Sequence, residues 1–280
     1  MRLGICSVCL PDLTPEEAVV AVRDAGYAGI EWRVVANPDV GDGPPSFFTN
    51  NRCTFTATPG DIARAVRITE AAGLRVIGLD TYLDTGDTRG ADEAFELAAG
   101  AEVDWIRVRA PWRNGRPYRE LFAEAVAFFD GLSDRCAQTG VRALLELHQR
   151  SICPSASLAH RLVGEFDPAR IGVIYDVGNL AIEGYEDHAL AAELLGEHLA
   201  HVHLKNVTFG APGAGGLRVP EWSALDDGVV DVPGLLTALA GHGYQGWISV
   251  EDFSTARPPG EAARFNAHLL SGLLPAAARP

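Results

Sequence analysis

Four side chains able to do chemistry, Glu146, Asp176, His203 and Glu251, each stand at the end of a short apolar run: LLELH, IGVIYDVGN, LAHVHLKN and WISVED. An apolar strand that ends on a carboxylate or imidazole is what a parallel α/β barrel offers at its catalytic face. There the strands are buried and only their C-terminal ends meet solvent. All such ends face one mouth, so the four residues are expected to converge although they lie far apart in sequence. Three carboxylates crowded around an imidazole repel one another unless a cation sits among them. One divalent metal ion resolves the repulsion. Mixed oxygen and nitrogen ligands suit Mn²⁺, Mg²⁺, Co²⁺, Fe²⁺ or Zn²⁺, and the carboxylate-rich set favours Mn²⁺.

Polar neighbours follow the same rhythm. Alternation puts His148 on the face of Glu146, and His201 and Lys205 on the face of His203. His148 and His201 read as hydrogen-bonding support behind the ligands or as packing, with His148 also a candidate for substrate contact. Lys205, turned towards a metal, meets a substrate anion or pairs with a buried acid. Asn179 bonds substrate hydroxyls or holds its strand exit. Trp32, Trp112 and Trp222 stand near strand ends or in the loop after the seventh strand, where aromatic faces stack on a sugar ring or pack the rim.

Eight strand-like and eight helix-like segments position these groups. LGICSVCL reads as a strand, and TPEEAVVAVRDAG as a helix with Thr14 as cap, Pro15 at its first position and Gly26 at its stop. The same alternation continues to the end of the chain, implying parallel strands with right-handed crossovers. No GxGxxG or GxxxxGKS/T follows the first strand, as an open nucleotide-binding sheet would require. The sequence therefore predicts a single (β/α)8 TIM barrel, one α/β domain over residues 1–280, in keeping with the roughly 250 residues typical of that fold. Two connections are long. Residues 36–57, with Phe47 and Phe48, read as a lid or a subunit contact, and Val207 to about Val230 reads as a glycine-rich loop.

A formal charge of −14 argues against a nucleic-acid partner, which needs a basic footprint. Apolar runs are only strand-sized, so no membrane span is expected, and MRLGICSVCL lacks the features of a signal peptide. Five scattered cysteines suit a reducing, cytoplasmic setting. Cys6 and Cys9, three apart in a strand, are expected on opposite faces and unable to share a metal.

The LELH, YDVGN, HVHLKN and SVED motifs, in this order at these strand exits, resemble the sugar-phosphate isomerase/epimerase family of xylose isomerase-like TIM barrels. The resemblance covers essentially the whole chain and is strongest from Val141 to Phe253. It implies that Glu146, Asp176, His203 and Glu251 bind one divalent metal, and that Glu146 and Glu251 also shuttle the substrate proton. A basic residue after the seventh strand is implied to meet substrate oxygens, with Arg218 the nearest candidate. Epimerases of the family place a His where this chain has Asn179, a departure that counts against a ketohexose substrate. The apurinic endonuclease branch needs further His ligands, and IEWR and IGLDTYL supply none.

A metal chelated by a ketone and a neighbouring hydroxyl polarises the carbonyl and stabilises an enediolate. A carboxylate on each face of the acidified carbon can remove and return its proton. Return to the opposite face is epimerisation, and return to the neighbouring carbon is isomerisation. Loss of a β leaving group is dehydration or lyase chemistry, including cleavage of a 3-keto-glycoside. The expectation is a metal-dependent isomerase or epimerase of a small carbohydrate or polyol. A lyase or dehydratase acting on a keto sugar or inosose at the same site is the alternative, and a non-catalytic barrel subunit a further one. The resemblance also implies a homo-oligomer, and a partner subunit is the other assembly expected.

Overall fold

The first helix, Pro15–Ala25, begins where its residues dictate. The Glu17 amide donates to Thr14 Oγ1 at 3.3 Å, while the Thr14 amide donates to the Glu17 carboxylate at 2.8 Å. Gly26 then closes the helix at φ 94°, a left-handed conformation that favours glycine. Thr58, Asp87, Ser155, Asp176, Asp187 and Asp231 likewise cap the helices they precede.

In a computed structural model describing residues 1–213 and 215–274, these helices surround a closed parallel barrel. In chain order the strands are β1 (Arg2–Cys6), β2 (Gly29–Val35), β3 (Phe55–Thr56), β4 (Arg75–Asp84), β5 (Trp105–Arg109) and β6 (Arg142–Glu146). They continue with β7 (Ile171–Asp176), β8 (Leu199–Leu204), β9 (Asn206–Phe209), β10 (Pro220–Ser223) and β11 (Trp247–Val250). Leaving aside β3, β9 and β10, the strands pair in parallel in chain order, and β11 returns to β1 to close the ring. The predicted TIM barrel is thus the observed one. No helix among the described residues is long and apolar enough to cross a membrane.

The main core lies between strands and helices. Inside the barrel, Ile77, Trp105, Leu144 and Ile174 form a separate apolar plug. Gly78 makes that plug possible, because a Cβ there would lie 2.2 Å from the Trp105 ring. Alternation sets the next layer: two residues past Leu144 and Ile174 come Glu146 and Asp176, on the same inward face. The barrel interior thus changes from apolar to ionisable in one step.

Local expectations need correction at several places. LGICSVCL is a strand only to Cys6, and Ser7–Cys9 forms a 3₁₀ turn in which Ser7 Oγ accepts from the Arg33 amide at 2.8 Å. The opposite-face argument for Cys6 and Cys9 therefore does not apply, although all five cysteines are free and buried. β6 stops at Glu146, leaving His148 on the turn beyond it. Asn179 is on the helix Val177–Glu183 rather than a strand exit, because Asp176 caps that helix immediately after β7. Within the segment read as a loop, β9 and β10 form an antiparallel hairpin. Asn206 anchors its base, donating to the Leu225 carbonyl and accepting from the Val230 amide.

Candidate active site

The ends of β6, β7, β8 and β11 bring Glu146, Asp176, His203 and Glu251 together, with one ligand-type atom of each within 4.8 Å of the others. Strand register explains the meeting: Asp176 pairs with His203, and His203 with Ser249, two residues before Glu251. His203 Nδ1 lies 3.4 Å from Glu146 Oε1 and 3.8 Å from both Asp176 Oδ2 and Glu251 Oε2. All four side chains are buried. They are also held from behind. Asp176 Oδ1 accepts from the Asn179 amide at 2.9 Å and Oδ2 from Asn179 Nδ2 at 2.7 Å, and Glu146 Oε2 accepts from Arg107 Nη1 at 3.1 Å.

His203 Nδ1 is buried and makes no hydrogen bond, although three carboxylates face it. An imidazole nitrogen and carboxylate oxygens set around one point make a donor set for a first-row divalent metal. Charge agrees with that fit. Glu31, Asp80, Glu146, Asp176 and Glu251 are all buried here, and besides the histidines His201 and His203 the basic side chains ion-paired to them among the described residues are Arg107 and Lys205.

The electrostatics divide the carboxylates. Burial is the largest single effect and works against ionised Glu146, but Arg107, His203 and His148 together outweigh it and hold Glu146 well below the usual carboxylate range. Glu251 moves the other way: burial, together with Asp176 and Glu146, raises it despite Lys205 and His203. Asp80 is pushed up to about 7 by burial, against the pull of Arg107. Burial also opposes a charged His203, yet Glu31 and the other acids raise its pKa well above the ordinary imidazole value.

Over the cluster lies a cavity of about 240 Å³ whose polar lining includes Glu146, His148, Asn179, Lys205 and Glu251. Phe48, Trp112, Trp222 and Phe253 supply aromatic surface to it. Pockets for drug-sized ligands run to about 300–1,000 Å³, so this one suits a single small ring. Larger depressions of about 430 and 720 Å³ lie elsewhere, and neither is lined by any of the four clustered residues.

Lys205 forms the buried pair that was one of its two expected roles. Its Nζ is 2.6 Å from Asp176 Oδ2, also bonds Glu251, and lies over the Trp222 and Phe253 rings at 5.4 and 5.2 Å. Gly178 leaves room for the lysine stem, since a Cβ there would approach Lys205 Cγ to 2.3 Å. Asn179 Oδ1 has no partner, while His148 is half-buried, with Nδ1 2.6 Å from the Gln149 carbonyl and its ring edge-on to Trp112. Phe47 and Phe48 fold onto Phe253, with ring centroids 5.1 and 5.3 Å away, so the long second connection covers the mouth.

Two expected participants stand apart. Arg218 is exposed on the hairpin connection, donates to the Gly210 carbonyl at 2.8 Å and does not line the cavity. Trp32 faces the helices, donating Nε1–H to Thr69 Oγ1 at 2.9 Å. His201 sits below His203, beside the Trp105 ring at 4.9 Å. Sequence reasoning missed Glu31, Asp80 and Arg107, which lie in mid-strand rather than at a strand end. Their signal was present: each is an ionisable residue flanked by β-branched or aromatic and aliphatic neighbours, as in IEW, LDT and IRV, and so shares the strand's second face.

Residues 19–271 match the model of the xylose isomerase-like TIM barrel family, and the chain belongs to that family. It is 27% identical over 192 residues to inosose dehydratase of Geobacillus thermodenitrificans strain NG80-2, covering 61% of this chain and 63% of that one. To rhizopine catabolism protein MocC of Rhizobium meliloti it is 30% identical over 129 residues, covering 43% and 39%. The matched stretch is less than two thirds of either relative. Among solved structures, 3-keto-D-glucoside 4-epimerase YcjR from E. coli superimposes with a TM-score of 0.70 at 19% identity over 97% of this chain and 99% of that one. The probable 3-DHS dehydratase AsbF from Bacillus anthracis gives 0.71 at 16% identity over 97% and 99%. Both share the fold.

Proposed function

We propose that this chain is a divalent-metal-dependent lyase that removes water from a small cyclic polyhydroxy ketone, an inosose or keto sugar. The observation that carries the reading is the free, buried Nδ1 of His203 facing Glu146, Asp176 and Glu251 beneath a cavity the size of one ring. Those four residues hold the ion, and the carboxylate-rich set favours Mn²⁺. When bound, the ion polarises the ketone and offsets the negative charge that builds on its oxygen.

Glu146 and Glu251 form the acid/base pair. One takes the proton from the carbon beside the ketone, and the other delivers a proton to the hydroxyl on the next carbon. The C–H and C–O bonds break, water leaves, and an enone that tautomerises to the dione remains, with no change in overall oxidation state. Lys205, His148 and the free oxygen of Asn179 orient substrate hydroxyls. Phe48 and Trp222 limit water above the site. Arg218 has no part in this reading, because its guanidinium is tied to the exposed hairpin.

The inosose dehydratases among the relatives support dehydration over epimerisation or isomerisation. The test incubates Mn²⁺-loaded protein with an inosose and a panel of keto sugars, following ultraviolet absorbance and solvent deuterium by NMR. The expected result is an unsaturated or dione product, with Glu251→Gln slower by about 10²- to 10⁴-fold while still folded. Deuterium exchange without loss of water would make the enzyme an epimerase or isomerase. Full turnover by Glu251→Gln would overturn the acid/base assignment.

A further inference from the structure

We infer that Glu31, on a strand that contributes no ligand, is the positioning residue that presents His203 Nδ1 to the metal; this rests on the metal-site reading above. Its carboxylate lies between two imidazoles. Oε2 is 3.0 Å from His201 Nε2, and Oε1 is 3.0 Å from His203 Nε2. An ionised carboxylate only accepts hydrogen bonds, so both Nε2 atoms must carry their protons. As a neutral metal ligand His203 keeps one N–H, the one on Nε2, which leaves its lone pair on Nδ1, the atom facing Glu146, Asp176 and Glu251.

Glu31 is fully buried, so bulk water does not replace it, and among the described residues its further donor is the Cys6 thiol at 3.4 Å. An amide at the same position has one acceptor oxygen, and its NH₂ would face an imidazole N–H with which it cannot pair. The His201 and His203 rings stand edge to face at 5.2 Å, and His201 is backed by Trp105, so neither can turn without moving the plug. A shift in register between Ile30 and Glu31 sits at this point of β2, a device that re-aims a side chain.

The test measures Zn²⁺ and Co²⁺ dissociation constants by chelator competition for the wild-type protein, Glu31→Ala and the isosteric Glu31→Gln, with thermal melts of each. Alanine should weaken binding by about 10- to 100-fold, as loss of a partner behind a ligand does, and glutamine by less, because its oxygen still serves one imidazole. Nitrogen NMR of histidine-labelled, Zn²⁺-loaded wild-type protein should show His203 metallated at Nδ1 and protonated at Nε2. That spectrum decides the inference even where both variants fail to fold. Unchanged affinity in folded variants, or a proton on Nδ1, overturns the role of Glu31 and leaves the metal site standing. A wild-type protein that binds neither ion overturns both.

Discussion

The two halves of the barrel treat their buried charge in opposite ways. β6, β7, β8 and β11 end on side chains whose atoms converge on one point, with His203 Nδ1 left unbonded. β2, β4 and β5 carry Glu31, Asp80 and Arg107 inside the strands, and these are spent on other side chains: Glu31 on two histidines, Arg107 on Asp80 at 2.5 Å and on Glu146 at 3.1 Å. These charges are paired side chain to side chain, Glu31 and Arg107 reaching across to β8 and β6, and so act as a frame. The other half retains acceptors and charge for something from outside. Because a buried charge without a partner is costly, the placement of partners tells frame from site more reliably than residue type does.

The largest effect should come from unbalancing the frame. Arg107→Met leaves Asp80 and Glu146 buried without their shared cation and should cost about 3–5 kcal/mol of stability, read by denaturant unfolding. A variant as stable as the wild type would break the contrast between the halves.

A smaller effect belongs to the converging half and is set by pH. His203 and Glu251 both have raised pKa values in the metal-free protein, so each holds its proton more tightly than the free group does. A metal must expel those protons. Its affinity should therefore rise with pH and fall on acidification, by up to about tenfold per pH unit for each proton displaced. Calorimetry in buffers of different ionisation enthalpy measures the release directly, and binding without proton release would contradict the sign.

The smallest effect lies in the cover that neither half supplies. Phe48→Ala removes one ring from the Phe253 contact and should raise KM by the equivalent of about 0.5–1.5 kcal/mol, leaving the melting temperature nearly unchanged. A large loss of stability instead would make residues 36–57 part of the frame.

What was legible in the sequence follows from periodicity. Glu146, Asp176, His203 and Glu251 could be read because each ends an apolar strand, and parallel strands have no choice but to point their ends the same way. The helix caps, Thr14 with Glu17 above all, were equally legible because they depend on neighbours in the chain. Less local features were not. Asn179 moved onto a helix because Asp176 serves as cap as well as site residue. Arg218 lies off the cavity because β9 and β10 pair into a hairpin within a stretch of glycine and proline that reads as loop.

By itself, then, the sequence determined the alternation, the closed barrel class and the four strand-end residues, since all of these rest on spacing along the chain. Tertiary structure alone decided that Glu31 would meet His201 and His203, that Arg107 would stand between Asp80 and Glu146, and that Lys205 would lie against Asp176 and Glu251. Those partnerships cross the barrel between strands remote in sequence. Their geometry is set by stagger, bulge and the room left by glycines such as Gly78 and Gly178, none of which a two-residue period encodes.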